Sequence, residues 1–578
     1  MEYLDKYKFW LSSDAFDLGT KKELEAIKAD EKEIKERFYK DLEFGTGGLR
    51  GIIGSGTNRM NKYTVGRATQ GLANYILKNN PDGAKMGVAI AYDSRNMSPE
   101  FAESSALVLN ANGIKAYVFD ELRPTPELSY AVRTMGCTAG IVVTASHNPP
   151  EYNGYKVYWA DGAQVVAPKD KGIIEEVNAI TDFSKIKMMD RSDAEKAGLF
   201  NVIGKEIDDS FISEIKKTAI RPQEVEKAKD MVIVYTPLHG TGNKPVRRVL
   251  KEVGFENVYV VPEQELPDKN FSTVGYPNPE DPKAFTLAIE LAKEKNADIV
   301  VGTDPDADRI GVVIKDSEGN YEVMTGNMTG ALLTEYVLSG RSEQGKLPEN
   351  SAVIKTIVTT EIVRAIAENY GADLVEVLTG FKFIGEKIKQ YEEDHSHTFV
   401  FGFEESYGCL AGTYARDKDA VGAAMLVCEM AAYYKNRGMT LYDGMNELYE
   451  KYGVYKESVK SVTLKGIDGA EQIQKIMAYL RAHTPAEIAG HMVVWKKDYK
   501  TQEFVNLAEG MTEKSDLPIS DVLYYTMEGG AWMCVRPSGT EPKIKFYMGV
   551  KADSRKEADN KLEAIGETID ELLEEVNN

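Results

Sequence analysis

Three apolar runs, each opening into a polar loop, constrain this 578-residue chain more than any other feature. They read GIVVTASHNPP (140–150), ADIVVGTDPDADR (297–309) and TFVFGFEESYG (398–408). A short run of this kind, bounded by Gly, Pro and Asp, predicts a strand buried on both faces. Such strands belong to βαβ units whose sheets are covered by helices. Each run sits in its own alternation of strand and helix patterns. The first has strands at 86–92, 115–120 and 140–144, with helices at 99–112 and 126–135. The second has strands at 231–235, 258–261 and 298–302, with helices at 244–253 and 283–295. The third has strands at 352–358, 374–378 and 398–401, with helices at 361–370 and 383–392.

The last stretch is different. Strand patterns at 458–464, 522–527, 532–535 and 543–550 lie between a helix at 470–483 and a final helix from Arg555. The expected fold is therefore three similar α/β domains with mixed, mostly parallel sheets, plus a C-terminal α+β domain. The expected limits are 1–220, 221–330, 331–450 and 451–578, in keeping with a prior of about 150 residues per domain. In open α/β sheets, ligands collect beyond the carboxyl ends of the strands. The three loops, with one from the last domain, are thus expected to meet at a central cleft.

Charge narrows the partners. Lys and Arg number 70 against 91 Asp and Glu, a net charge of −21. That balance argues against a nucleic-acid duplex or an anionic membrane as partner, since both need a net basic face. A small anionic substrate stays compatible, because a cleft can be basic on an acidic body. The four cysteines, Cys137, Cys409, Cys428 and Cys534, have no CxxC spacing and read as reduced cytosolic thiols. The N-terminal residues lack the apolar core of a signal peptide, and no run of about 18 apolar residues exists. The expectation is a soluble, cytoplasmic protein, a monomer or weak homo-oligomer.

Each loop carries its own chemistry. Asp304, Asp306 and Asp308 at i, i+2 and i+4 would point to one side of an extended segment. Three like charges repel there unless a cation sits between them, and hard oxygen ligands without His or Cys imply Mg²⁺ or Ca²⁺. An EF-hand fails on its own pattern, with Arg309 where Gly is needed and Lys315 where Glu is needed. Ser146 follows a strand among small residues, and His147 beside it could relay a proton or bind phosphate. No G-x-S-x-G elbow is present, which disfavours an α/β-hydrolase. Arg536, Ser538, Gly539 and Thr540 form a turn with the donors to hold a phosphate dianion. The glycine-rich stretch 45–51 matches neither dinucleotide nor P-loop patterns. Glu404 and Ser406 suit hydrogen bonding to vicinal sugar hydroxyls. Taken singly, each loop also reads as an ordinary turn.

Their order is more telling. GTGGLRG (45–51), TASHNP (144–149) with NGYK (153–156), DPDADR (304–309), GFEES (402–406) and RPSGTEP (536–542) together resemble the α-D-phosphohexomutase family of phosphoglucomutases and phosphomannomutases. The stretch 153–164 is most similar to the long-chain phosphoglucomutase branch, which also contains phosphopentomutases and glucose-bisphosphate synthases. The resemblance implies four domains around a cleft and an isomerase that interconverts glucose 1-phosphate and glucose 6-phosphate, with a sugar 1,6-bisphosphate as intermediate and activator. It implies that Ser146 carries the phosphoryl group, and that a phosphate oxygen there joins Asp304, Asp306 and Asp308 around one Mg²⁺. Arg50, His147 and Lys156 match positions placed for proton transfer or charge stabilisation. Glu404 and Ser406 would grip the sugar, and Arg536, Ser538, Gly539 and Thr540 the phosphate that is not reacting. Arg309, Lys382 and Lys418 match basic positions of the family's active site. Phe403 and Ala420 depart from it, standing where glycine is usual.

Charge arithmetic agrees with that reading. A phosphoserine and a substrate phosphate bring about −2 each, so with three aspartates and one Mg²⁺ the cleft keeps roughly −5. Fixed cations must offset it, and Arg50, Lys156, Arg309, Lys382, Lys418 and Arg536 are the candidates. A phosphatase with the same groups, a pentose or mannose phosphate mutase, and a non-catalytic sugar-phosphate sensor stay open at this stage.

Overall fold

The computed structural model describes residues 2–45, 47–80, 82–464, 466–538 and 543–577, built around four sheets. Three helices, Tyr3–Ser12, Leu18–Ala26 and Glu31–Phe38, precede the first strand. Asp17 and Asp30 cap the second and third of them, and Trp10 stacks on Phe16 with ring centroids 4.1 Å apart. The strand-and-helix alternation read from the sequence did not include this aromatic cap.

The first sheet runs Gly48–Ile52, Tyr152–Trp159, Ala139–Val143, Val88–Tyr92, Ala116–Phe119, Phe200–Ile203. Its last four strands are parallel, and the first two are antiparallel to their neighbours. Arg50 pairs with Gly154 and Gly48 with Lys156, so Arg50 and Lys156 lie diagonally on one face. The second sheet runs Tyr321–Val323, Ile310–Lys315, Ile299–Thr303, Val232–Thr236, Asn257–Val260. The third runs Asp373–Val377, Ser351–Thr356, Thr398–Glu404, Gly408–Ala411. Strands Ala139–Val143, Ile299–Thr303 and Ser351–Thr356 are buried at every residue, as continuous apolar runs demand.

One topological device recurs. In each of these sheets a parallel strand ends in the polar loop and returns at once as an antiparallel neighbour: 144–151, 304–309 and 405–407 are hairpin connections. An antiparallel return needs no crossover helix, so the loop stays short and its ends are pinned on both sides. The Asp-rich segment is accordingly a turn, not an extended run. Ala307 takes φ 50°, its N–H donates to the Asp304 carbonyl at 2.9 Å, and the Asp304 N–H faces the Arg309 carbonyl. The carboxylates converge because the chain folds back, not through strand alternation.

The fourth sheet is antiparallel, in the order Val454–Thr463, Lys543–Ala552, Trp532–Pro537, Leu523–Met527, His491–Asp498, Glu503–Asn506, Thr512–Lys514, with helices Gly466–Ala482 and Arg555–Asn577. Its Tyr499, Tyr524, Trp532 and Tyr547 pack against Ile357, Val358 and Leu378 of the third sheet's loops. Phe403 is buried away from that contact, against a matching glycine: a Cβ on Gly330 would lie 2.0 Å from the Phe403 ring. The large residue at 403 is therefore accommodated by the absent side chain at 330.

Gly154 fixes the geometry of the first hairpin. A Cβ there would sit 2.4 Å from the Thr144 carbonyl oxygen and 3.1 Å from that of Leu49, both backbone atoms that cannot swing aside. Gly154→Ala is expected to cost about 1–3 kcal/mol, read from the urea midpoint. Gly566→Ala, in helix Arg555–Asn577 with nothing within 4 Å of the added Cβ, is expected to change stability the other way.

Candidate active site

Ser146 is almost fully buried and holds φ 51°, a left-handed conformation that costs a non-glycine residue about 1–2 kcal/mol. Such strain persists only where neighbours over-determine it. The neighbours are Arg95 and Asp93. The Arg95 guanidinium donates to the carbonyls of Ser146, Asn148, Pro149 and Tyr152. Asp93 accepts from the Arg95 N–H at 3.0 Å, Ser98 Oγ at 2.7 Å and Thr144 Oγ1 at 2.6 Å. Thr144 Oγ1 in turn accepts the Ser146 N–H at 2.8 Å. The loop is thus clamped from below by one buried arginine and one buried aspartate.

Neither residue was singled out from the sequence. The available signal was Asp-Ser-Arg directly after strand Val88–Tyr92, which pairs in parallel with Ala139–Val143 and so ends beside Ser146.

The Ser146 hydroxyl crosses to the second sheet. Oγ donates to Asp304 Oδ2 at 2.6 Å and lies 3.2 Å from His147 Nδ1. Burial, with Arg309 and Arg50 nearby, holds the imidazole well below its ordinary pKa, so the ring is neutral at pH 7 and able to accept a proton. Arg50 reaches Asn148 Oδ1 at 3.4 Å.

Asp304, Asp306 and Asp308 are all buried, and one oxygen from each lies within 4.8 Å of the others. Burial, then Asp306 and Asp308, push the Asp304 carboxyl well above its usual value. Burial would also raise Asp306, but Lys156 Nζ at 2.9 Å outweighs it and holds the group low. Lys418 Nζ pairs with Asp308 at 2.8 Å, and Thr125 Oγ1 donates to Asp306 at 2.9 Å. Even so, Asp306 Oδ1 and Asp308 Oδ1 are buried without a hydrogen-bond partner among the described residues. Buried anionic oxygens converging without donors fit a divalent cation, and an all-oxygen set fits a hard one.

The third sheet closes the other side. The Ile310 N–H donates to the Tyr407 carbonyl and the Ala420 N–H to the Ala307 carbonyl, tying the loop after Glu404 and the helix Ala420–Lys435 to the Asp-rich hairpin. Glu404 is buried, its carboxyl raised by burial and drawn back by Lys418 and Arg309. Arg309 pairs with Glu280 at 2.7 Å. Ser406 is half-buried beside Glu404.

The structure therefore brings Ser146, His147, Arg50, Lys156, the three aspartates, Arg309, Lys418 and Glu404 to one place. A second group is separate. Lys382, in the first turn of helix Phe381–Asp394, has no ion-pair partner among the described residues, and burial lowers its pKa. It feels the charge of Arg536, which ends strand Trp532–Pro537. The Ser538 N–H donates to the Lys543 carbonyl at 2.8 Å. Gly539 and Thr540 lie outside the described residues.

Arg95→Lys keeps the charge but cannot span four carbonyls. If the clamp positions Ser146, the variant should lose about 10²-fold in kcat with little change in KM. Unaltered kcat would mean the loop holds itself.

Models of phosphoglucomutase/phosphomannomutase α/β/α domains I, II and III match residues 41–183, 209–319 and 325–452. The chain is 38% identical over 535 residues to a phosphoglucomutase of Staphylococcus aureus (strain MRSA252), covering 92% of this chain and 94% of that protein. It is also 38% identical over 522 residues to one from Staphylococcus haemolyticus (strain JCSC1435), covering 90% and 92%. Among solved structures, the open form of parafusin, a phosphoglucomutase from Paramecium, superposes with TM-score 0.67 at 17% identity, covering 93% of this chain and 95% of that one. A phosphoglucomutase/phosphomannomutase family protein from Burkholderia thailandensis gives TM-score 0.63 at 19% identity, covering 92% and 97%. With three domains matched and a relative aligned over nearly its whole length, the chain belongs to the phosphoglucomutase/phosphomannomutase family, the phosphohexomutase isomerases.

Proposed function

We propose that this protein interconverts glucose 1-phosphate and glucose 6-phosphate through a phosphoserine at residue 146. The observation that carries the reading is the 2.6 Å contact between Ser146 Oγ and Asp304, made by a strained, clamped loop at the edge of three converging carboxylates. Residues Asp304, Asp306 and Asp308, with an oxygen at Ser146, would hold Mg²⁺, whose charge would offset that of the reacting phosphate. Lys156 and Lys418 orient the Asp306 and Asp308 carboxylates.

In the first half-reaction the Ser146 Oγ–P bond breaks as a bond from phosphorus to the sugar 6-oxygen forms. The 6-hydroxyl gives up its proton and Ser146 Oγ takes one, exchanged through the neutral His147 Nδ1. The 1,6-bisphosphate then reorients in the cleft. Ser146 Oγ attacks the 1-phosphoryl group, its proton passes to His147, and the sugar 1-oxygen takes a proton as it leaves. Arg50 and Arg309 stabilise charge on the transferring group, which is most of what phosphoryl transfer asks of a protein. Glu404 and Ser406 bind sugar hydroxyls. Lys382, Arg536, Ser538, Gly539 and Thr540 bind the distal phosphate, so the module from residue 451 onward would close over the substrate and keep water from the phosphoserine. On this reading the functional modules are 1–220, 221–330, 331–450 and 451–578. No helix among the described residues is long and apolar enough to cross a membrane, and we place the enzyme in the cytoplasm.

A coupled assay with a trace of sugar bisphosphate should give the highest kcat/KM for glucose 1-phosphate, ahead of mannose 1-phosphate and ribose 1-phosphate, with no inorganic phosphate released. Ser146→Ala should lower turnover by about 10⁴-fold or more. Chelation should abolish activity and added Mg²⁺ restore it. Near-normal turnover in Ser146→Ala, or stoichiometric phosphate release, would overturn the reading.

A further inference from the structure

A cavity of about 270 Å³ lies apart from the cleft, with none of the residues placed there in its lining. Helices Thr125–Thr134 and Lys205–Lys216 face the loop that leads into helix Asn243–Val253. Leu122, Phe211, Ile212, Pro245 and Leu266 make its walls largely apolar.

Two polar atoms in that lining have no hydrogen-bond partner among the described residues: Thr241 Oγ1 and Glu127 Oε1. Both residues are buried, 3% and 1% exposed. Arg123 Nε stands 4.0 Å from Glu127 Oε1, outside hydrogen-bonding reach. Beside Thr241, helix Asn243–Val253 starts without a side-chain cap, so the N–H groups of Asn243 and Lys244, ahead of Pro245, are further donors. Buried polar atoms left unpaired are costly and call for a partner that the protein does not supply.

The two unpaired groups of the lining differ in kind. Thr241 and the helix terminus offer donors. Glu127 offers an acceptor: burial and a hydrogen bond shared with Asp208 push its carboxyl well above the ordinary value. Oε1 has no donor within hydrogen-bonding distance among the described residues, so it is left to accept from a ligand. A carboxylate ligand would bring no donor for Glu127 and would add charge beside Asp208, while the lining cations Arg123, Lys244 and Arg248 are already paired with Asp208, Glu121 and Asp209. A flat group with a carbonyl next to an N–H offers a partner to each of the two atoms, and the apolar walls suit a ring. The volume is just below the ~300–1,000 Å³ of most small-molecule sites, room for a ring and one amide.

We propose that this cavity is a binding site for an uncharged planar carboxamide or lactam, its carbonyl accepting from Thr241 Oγ1 and its N–H donating to Glu127 Oε1. The site abuts both supports of the acidic hairpin. The Thr241 N–H donates to the Pro305 carbonyl at 2.8 Å. Thr125, two residues before Glu127, donates its N–H to the Asp306 carbonyl at 2.9 Å. The proposal does not depend on the phosphoserine chemistry.

The test uses the full-length protein and benzamide as probe, with methyl benzoate as the neutral analogue that keeps the carbonyl and lacks the N–H. Titration calorimetry should show saturable benzamide binding at least about tenfold tighter than methyl benzoate. Thr241→Val, with its fold checked by circular dichroism, should weaken benzamide by about tenfold. A benzamide co-crystal should place the amide between Thr241 and Glu127 and the ring against the apolar wall. No saturable binding, equal binding of the two probes, unchanged affinity in Thr241→Val, or a ring bound elsewhere would each overturn the proposal.

Discussion

Three aspartates folded into one buried turn set the terms for the rest of the molecule. Asp304, Asp306 and Asp308 bring their oxygens within 4.8 Å of one another, in a place closed to water. Like charges at that spacing are tolerated only with opposite charge close by, because burial strengthens repulsion as well as attraction. Lys156 comes from the first sheet and Lys418 from the loop before helix Ala420–Lys435. Two α/β units thus send a cation each to the turn of a third. The oxygens still unpaired are where a divalent ion would finish the job. Assembly of the cleft and compensation of this charge are one problem with one solution.

The repeated hairpin explains how three stretches of chain reach the same point with little freedom. Each polar loop leaves a parallel strand that is buried where it ends and returns as the next strand over, so neither end can drift. At the serine loop this is not enough. A left-handed Ser146 needs more, and Arg95 with Asp93 supplies it through four carbonyls and the Thr144 hydroxyl. The strain is local and the restraint is buried beneath it, the arrangement expected where a side chain must be presented in one orientation.

Much of this was legible in the residues. The apolar runs marked the central strands, the break in pattern near residue 450 marked the change to an antiparallel sheet, and the spacing of the aspartates marked a cluster. The reason for the cluster was not legible: alternation along an extended strand suggested convergence, whereas a turn with Ala307 at positive φ produces it. Arg95 and Asp93 escaped because a buried arginine that binds only carbonyls has no motif of its own; its role depends on which strand lies beside which. The three N-terminal helices are held by an aromatic cluster of Tyr7, Trp10, Phe16, Phe38 and Tyr63 whose members lie far apart in the chain. Phe403 reads as a departure from the family until Gly330 is seen opposite it, a pairing separated by more than seventy positions in the chain.

The most direct measurement is the anomalous difference map of crystals grown with Mn²⁺ in place of Mg²⁺. The account predicts a single strong peak at about 2.0–2.2 Å from one oxygen each of Asp304, Asp306 and Asp308, and from an oxygen at Ser146. A peak bound to the aspartates but out of bonding reach of residue 146, or no peak at the turn, would contradict it.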